Sequence, residues 1–224
     1  GKSRIRYSGR VYDEAEMVNL AGAALDFWLT LGPYGDRFEL RMRELFGSRD
    51  FVLVNSGSSA NLLMVATLCA RELGENGKPR LAPGDEVITP AVTFPTTLAP
   101  ILQNQLIPVF VDCEVGTYNV NPALVADAVG PRTRCILVPH TVGNPCDMDA
   151  IMEVAARHNL WMLEDSCDAL GATFNGRLVG TFGDMASLSF YPAHQMTMGE
   201  GGGVNINSPR LKKTARSIRD WGRD

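Results

Sequence analysis

The chain of 224 residues carries a formal net charge of −4 and is 45% hydrophobic, which is typical of one large globular domain. The acidic balance offers no basic surface for nucleic acid, and no apolar run approaches the roughly 20 residues that span a membrane. Residues 1–12 are polar and basic and lack the apolar core of a signal peptide. We therefore expect a cytoplasmic protein that binds neither nucleic acid nor membranes.

The cysteines are scattered and lie mostly among apolar residues. Because their number is odd and no pair has metal-binding spacing, we expect reduced thiols and no metal ligand within this chain. They are Cys69, Cys113, Cys135, Cys146 and Cys167.

Helical and strand patterns alternate along the chain. Predicted helices cover residues 13–31, 37–46, 59–72, 95–104, 122–129, 148–158 and 209–219. Predicted strands cover residues 51–54, 86–89, 108–111, 134–138, 160–164, 186–190 and 203–207, and a polar connection covers 74–84. This alternation predicts an α/β fold with a mostly parallel sheet that helices cover on both faces. Because ligands bind such sheets at the carboxyl ends of strands, the loops after strands are the candidate sites.

The first candidate loop, Asn55-Ser56-Gly57-Ser58-Ser59, lies between a predicted strand and a predicted helix. Glycine permits close backbone approach, and the free N–H groups at a helix start favour a phosphate. The alternative is an ordinary serine cap on a helix. The loop is not a Walker A motif, because no lysine follows a second glycine.

Two further loops carry an aromatic ring and a carboxylate. Phe94 follows a predicted strand, where it could stack on a pyridine ring or pack in the core ahead of a helix that begins at Pro95. Asp165 ends an apolar strand, where it could pair with a protonated pyridine nitrogen, cap a helix or face solvent.

The three histidines differ in their sequence context. His194 lies within Ser-Phe-Tyr-Pro-Ala-His-Gln-Met-Thr-Met-Gly-Glu-Gly-Gly-Gly, which covers residues 189–203. An imidazole can move protons near neutral pH, although a lone histidine is more often structural. His158 ends a predicted helix and is expected to be structural. His140, in Pro-His-Thr-Val-Gly-Asn-Pro, is equally consistent with loop scaffolding and with substrate contact.

A phosphate loop, an aromatic residue, a strand-end aspartate and a serine five positions before His194 follow one another along the chain. This order resembles the DegT/DnrJ/EryC1/StrS family of fold-type-I pyridoxal-phosphate enzymes, in which a Schiff-base lysine takes the place of His194. The residues around His194 and the ending Trp221-Gly222-Arg223-Asp224 are most similar to the iron–sulfur branch of CDP-4-keto-6-deoxy-glucose 3-dehydrase. An imidazole cannot form the imine that lysine forms with the cofactor aldehyde. The exchange therefore favours dehydration over transamination.

The resemblance implies a role for each candidate residue. His194 would be the acid/base, and Asp168 stands where family aminotransferases often have glutamine. Contacts to pyridoxamine 5′-phosphate or pyridoxal 5′-phosphate would come from Gly57, Ser58, Ser59, Phe94, Asp165, Asp168 and Ser189. His140 and Asn144 would contact the substrate.

The resemblance further implies C3 dehydration of a nucleotide-linked 4-keto-6-deoxyhexose in deoxysugar or lipopolysaccharide biosynthesis. A [2Fe–2S] cluster and a flavin or iron–sulfur reductase would deliver electrons, and the enzyme would be a homodimer. One alternative is the cluster-free, glutamate-using GDP-4-keto-6-deoxy-mannose 3-dehydratase. The other is a non-catalytic homologue that binds a sugar nucleotide.

Family members also have a smaller C-terminal domain, and members of the iron–sulfur branch have cluster cysteines that this chain does not contain. The resemblance therefore implies a fragment that would be inactive alone. Its parts would be an N-terminal helical segment over residues 1–35 and a large cofactor-binding domain over residues 36–224.

Overall fold

The structure is a computed structural model that describes residues 9, 12–73 and 77–223. Its strands are β1 (Asp50–Val54), β2 (Glu86–Pro90), β3 (Ile107–Val111), β4 (Thr133–Pro139), β5 (Trp161–Asp165), β6 (Thr173–Phe174), β7 (Arg177–Leu178), β8 (Met185–Ser189) and β9 (Gly202–Ile206). Its α-helices are α1 (Glu14–Leu25), α2 (Gly32–Phe46), α3 (Gly57–Cys69), α4 (Pro95–Gln103), α5 (Pro122–Asp127), α6 (Met148–Arg157) and α7 (Lys212–Arg219).

Seven of the described strands form one sheet in the order β1-β9-β8-β5-β4-β2-β3, and β6 pairs with β7 in a separate hairpin. Within this sheet β9 is antiparallel to both β1 and β8, and the other neighbouring strands are parallel. The prediction of an α/β fold with a mostly parallel sheet is confirmed. The carboxyl ends of β2, β4, β5 and β8 therefore meet at one edge of the sheet.

Helices cover both faces of the sheet, because successive residues of a buried strand point to opposite sides. On β5, Leu163 packs into an apolar cluster with Met64 of α3, whereas Met162 packs into a second cluster with Ile151 of α6. All four side chains are buried. Each such burial contributes about 1.5–3 kcal/mol, so the two clusters fix the helix layers on the strands that carry the candidate loops.

Helix α7 is joined to β1 and α2 by charged side chains. Arg216 donates to both carboxylate oxygens of Asp50 in β1 and to Glu39 in α2, and Arg219 also donates to Glu39. The hydrogen bond to Asp50 raises the pKa of the Arg216 guanidinium above its ordinary value. Because Asp50 and Glu39 are both buried, these arginines replace the water that the carboxylates lose on folding.

The prediction of one helix over residues 13–31 was wrong in its second half. Helix α1 ends at Leu25, and Phe27 then adopts a left-handed φ of 52° that a helix cannot continue. No side chain of α1 is buried, so packing does not extend the helix. Helix α2 begins at Gly32, and the predicted boundary between residues 35 and 36 falls inside it.

The seven predicted strands match the strands of the sheet to within one residue at each end. The β6–β7 hairpin was not predicted. Its turn residues, Asn175 and Gly176, have φ values of 49° and 77°, and an Asn-Gly pair is the strongest short-range signal for such a turn. The hairpin could therefore have been predicted from this Asn-Gly pair.

Parts of the predicted segments lie outside the described residues. These parts are residues 1–8, 10 and 11, residues 74–76 of the polar connection, and Asp224. Among the helices in the described ranges, none combines the length and the apolar character that crossing a bilayer requires.

Candidate functional site

A cleft of about 780 Å³ lies at the carboxyl ends of β4 and β5, beside the start of α3. Parallel sheets bind ligands at this edge, and the volume suits a small organic molecule. The predicted site residues that line the cleft are Gly57, Ser58, Phe94, His140, Asp165, Asp168, Ser189 and His194. The fold therefore brings most of the predicted residues together.

Two predicted site residues lie elsewhere. Successive helix residues differ in direction by about 100°, so Ser59 turns away from the side of Ser58 and lines a separate surface groove. Asn144 is exposed outside the cleft lining, and its amide nitrogen lies 3.5 Å from the carbonyl oxygen of Thr117. The structure gives no support to cofactor contact by Ser59 or to substrate contact by Asn144.

The start of α3 presents free backbone donors to the cleft. Ser56 caps the helix, and its Oγ accepts a 3.1 Å hydrogen bond from the Ser59 N–H. The N–H groups of Gly57 and Ser58 have no hydrogen-bond partner among the described residues. A Cβ on Gly57 would lie 2.6 Å from Ser189 Cβ, so glycine is required for this close approach. Free N–H groups, the helix dipole and the Ser189 hydroxyl together favour an anion such as a phosphate.

Four donors hold the buried carboxylate of Asp165 at the cleft floor. Its Oδ2 accepts from Asn61 Nδ2 at 2.8 Å and from Thr97 Oγ1 at 2.7 Å. Its Oδ1 accepts from Ser187 Oγ and from the Cys167 N–H, both at 3.2 Å. These hydrogen bonds compensate the carboxylate for the water lost on burial and fix its direction.

The preceding residue, Glu164, points to the other face of the sheet, where it binds the loop before β8. Its two oxygens accept from the backbone N–H groups of Gly180, Phe182 and Gly183 at 2.7, 2.9 and 2.6 Å. A fourth contact at 3.0 Å joins Glu164 Oε2 to His140 Nε2, and both side chains are fully buried. Glu164 therefore fixes the loop that leads into β8.

Both ring nitrogens of His140 are engaged. Nε2 contacts Glu164, and Nδ1 accepts the Cys146 N–H at 3.1 Å. The residue is 1% exposed although it borders the cleft. Of the two interpretations of His140, this geometry favours loop scaffolding over substrate contact.

His194 and Asp168 contact each other on the cleft wall. His194 Nδ1 lies 3.2 Å from Asp168 Oδ1, and the ring of Tyr191 meets the imidazole edge-on with centroids 6.4 Å apart. The adjacent side chain, Gln195, donates to the backbone carbonyl of Asp168. Two successive residues of the His194 loop are thereby joined to Asp168.

Within the part of the chain that the structure describes, no lysine lines the cleft. Lys78 pairs with Asp184 at 2.7 Å, and Lys212 and Lys213 lie on α7. The described cleft therefore offers an imidazole but no side-chain amine.

Phe94 also lines the cleft and is 68% exposed. It occupies the N-cap position of α4, and Pro95 is the first helical residue, as predicted. An exposed ring at a cleft wall can stack on a planar ligand.

Sequence reasoning missed the side chains that anchor Asp165. Asn61, Thr97 and Ser187 are polar residues at buried positions in largely apolar elements. Ser187 lies two residues before Ser189, so both point to one side of β8. Polar residues at such positions were the available signal.

Comparison with known proteins gives a consistent result. The model of the DegT/DnrJ/EryC1/StrS aminotransferase family matches residues 11–224. Over its whole length the chain is 53% identical to dTDP-4-dehydro-2,6-dideoxy-D-glucose 3-dehydratase of Saccharopolyspora spinosa, of which it covers 48%. It is 48% identical over its whole length to the lipopolysaccharide biosynthesis protein RfbH of Salmonella typhimurium, of which it covers 51%. The chain thus spans about half the length of these relatives.

A solved structure gives the corresponding result for the fold. GDP-4-keto-6-deoxymannose-3-dehydratase with a trapped PLP-glutamate geminal diamine matches with a TM-score of 0.91 and 33% identity. The match covers 98% of this chain and 55% of that chain. The fold is therefore that of the pyridoxal-phosphate-dependent aminotransferase-like enzymes.

Cys167 lines the cleft, but we expect it to react slowly. Burial raises the pKa of its thiol well above the ordinary value, and the charge of Asp165 raises this pKa further. Because the thiolate is the nucleophile, alkylation by iodoacetamide at about pH 8 should be ~10-fold or more slower than for free cysteine. Peptide mass spectrometry measures the rate, with Cys167→Ser to assign the peptide. Modification as fast as free cysteine would contradict this burial.

Proposed function

Because the chain belongs to the DegT/DnrJ/EryC1/StrS aminotransferase family, we propose that it forms the cofactor-binding part of a nucleotide-sugar 3-dehydratase. The substrate is a nucleotide-linked 4-keto-6-deoxyhexose, which loses its C3 hydroxyl in deoxysugar or lipopolysaccharide biosynthesis. The names of the two relatives with 53% and 48% identity, a 3-dehydratase and a lipopolysaccharide biosynthesis protein, support this substrate class.

One observation carries the proposal. The cleft combines an anion-binding helix start, a fixed buried carboxylate at Asp165 and the imidazole of His194, and no described lysine reaches it. An enzyme without that amine cannot hold pyridoxal phosphate through an imine. The cofactor that suits such a cleft is pyridoxamine phosphate, held without a covalent bond.

The residues present fit this cofactor. Its phosphate would bind the N–H groups of Gly57 and Ser58 and the Ser189 hydroxyl. Its ring would stack on Phe94, and its pyridine nitrogen would meet the carboxylate of Asp165. Asp165 has the fixed direction that such a contact requires, because its four donors leave it little freedom.

His194 is the residue to which we assign proton transfer. When bound, pyridoxamine phosphate supplies an amine for the C4 ketone of the sugar and a ring that accepts electrons. His194 moves the proton at the C4′ carbon of the cofactor, and Nε2 is the atom that carries it because Nδ1 contacts Asp168. His140 and Glu164 hold the loop after β4 and the loop before β8, which support the cleft wall.

Two alternatives remain distinct from this proposal. The glutamate adduct in the GDP-4-keto-6-deoxymannose-3-dehydratase structure favours a cluster-free, glutamate-using reaction. The identity to RfbH is 48%, against 33% to that structure, and this difference favours the branch for which the resemblance implies a [2Fe–2S] cluster. A non-catalytic homologue is disfavoured by the buried carboxylate of Asp165 at the cleft, because a site without a ligand has no need to keep a charge that is costly to bury.

The described residues do not themselves fit a cluster. They contain no group of three or more His, Cys, Asp or Glu side chains placed to hold a metal, and the cysteines are free thiols. Burial raises the pKa of Cys69 to about 11 and of Cys146 to about 12, which suits apolar packing better than metal ligation.

We further propose a cytoplasmic homodimer that works with a flavin or iron–sulfur reductase. Helix α1 and the turn after it support self-association, since Leu25, Phe27, Trp28 and Leu29 are all exposed. An apolar surface of this kind is typical of a contact region.

The variant His194→Asn should separate cofactor binding from proton transfer. We expect deuterium exchange at C4′ to fall by about 10²- to 10⁴-fold, because the acid/base is lost. Binding of pyridoxamine phosphate should persist, because the contacts proposed for it lie on α3, β5, β8 and Phe94. The measurement is mass spectrometry of the released cofactor after incubation with the keto sugar in D₂O, with exposed His158→Asn as the control. Exchange at the wild-type rate would remove His194 from the mechanism.

The variant His194→Lys tests the cofactor site itself. A side-chain amine at this position should bond covalently to the aldehyde of added pyridoxal phosphate and produce a yellow absorption band. After borohydride reduction, the added mass should lie on the peptide that contains position 194. His158→Lys, on the exposed end of α6, should give no such band. If His194→Lys stays colourless at every pH, the cofactor-site assignment is wrong.

The predicted [2Fe–2S] cluster is tested by measuring the iron and sulfide content of the protein. The protein as the cell makes it, purified without oxygen, should contain about two iron atoms and two acid-labile sulfides per chain and absorb in the visible range. A folded protein that takes up pyridoxamine phosphate but contains no iron would favour the glutamate-using alternative. The kinetics of the half-reaction with glutamate would then be measured.

A further inference from the structure

The contact between His194 and Asp168 restricts where the imidazole carries its hydrogen. Nδ1 lies 3.2 Å from Asp168 Oδ1, and none of the described residues forms a hydrogen bond with Nε2. The pair is at ion-pair distance, and an ionised carboxylate offers only acceptor atoms. A hydrogen on Nδ1 is therefore attracted to Asp168, whereas a lone pair on Nδ1 would be repelled by it. In the neutral ring the lone pair is then on Nε2, which can accept a proton.

Two neighbours fix the position of Asp168 independently of its carboxylate. Gln195 Nε2 donates to the Asp168 carbonyl oxygen. Gly143, at a φ of 80°, packs so closely on this oxygen that a Cβ would lie 2.8 Å from it. Asp168 is therefore held between the loop after β4 and the His194 loop, although its side chain is 55% exposed.

We propose that Asp168 is a positioning residue that holds His194 as the Nδ1–H tautomer and directs Nε2 to the reaction. This inference rests on the proposed function for its chemical meaning, since His194 is the residue to which proton transfer is assigned. Asp168 acts through His194, so its predicted contact with the cofactor is not needed for the role. The logic is that of a carboxylate that orients a catalytic histidine.

The same molecule contains a histidine with the opposite arrangement. His140 Nδ1 accepts the Cys146 N–H, so its hydrogen lies on Nε2 and is donated to Glu164. His158 is exposed at the end of α6. His194 is therefore the histidine under test, His140 is the reference for the opposite tautomer, and His158 is the solvent-exposed reference.

The experiment is ¹⁵N NMR of histidine-labelled protein without cofactor, at about pH 8.5, where an imidazole of ordinary pKa is neutral. Assignments come from His194→Asn and His158→Asn. In the wild type we expect the Nδ1–H pattern for His194 and the Nε2–H pattern for His140. In Asp168→Ala the His194 signals should shift toward those of His158, while the His140 signals stay unchanged and show that the fold is intact.

Two further variants distinguish the carboxylate from general loop fixation. Gln195→Ala removes the hydrogen bond to the Asp168 carbonyl and should leave His194 as the Nδ1–H tautomer. Asp168→Glu restores a carboxylate and should recover part of the Nδ1–H population. An Nε2–H pattern for His194 in the wild type would overturn the proposal. So would an unchanged Nδ1–H pattern in Asp168→Ala.

Kinetics complete the test of the positioning role. Asp168→Ala should lower kcat for dehydration by about 10-fold or more with little change in KM for the sugar, a smaller loss than that of His194→Asn. Failure of the proposed function is seen separately, as wild-type C4′ exchange in His194→Asn. The tautomer measurement does not depend on cofactor or substrate, so the two failures are distinguishable.

Discussion

Two adjacent buried carboxylates at the end of β5 set the constraint on which the rest of the site depends. Glu164 and Asp165 follow each other on a strand, so they point to opposite faces of the sheet. Both are buried, and an uncompensated buried charge costs several kcal/mol. Each carboxylate therefore requires donors, and the chain supplies them from loops and helices that are distant in sequence.

The donors to these two side chains connect the elements that form the cleft. Asp165 joins α3 through Asn61, α4 through Thr97 and β8 through Ser187. Glu164 joins the loop after β4 through His140 and the loop before β8 through backbone N–H groups. The cleft is preorganised because displacing any of these elements would remove a donor from one of the buried carboxylates.

The strands and the main site loops could be predicted from the sequence because their signals are local. Apolar runs marked the sheet strands to within a residue, and the loop at Gly57 and the strand-end Asp165 followed from their positions next to strands. Contacts between side chains that are distant in sequence could not be predicted. Nothing local shows that Asn61 and Thr97 meet Asp165, or that Asp168 reaches back to His194. The end of α1 was also hidden, because it depends on missing packing rather than on a breaker residue.

The position of β9 has a consequence for how the chain is made. β1 pairs in the described sheet with β9 alone, and Asp50 lies opposite Ile206. Strands β2 to β5 can pair with one another as soon as they leave the ribosome. The backbone groups of β1 stay unpaired until β9 has been made. Gly202 also passes so close to Ser56 that a Cβ would lie 2.2 Å from its carbonyl carbon. The anion-binding helix start is therefore completed only after β9 has been made, and until then β1 is a target for chaperones or for aggregation.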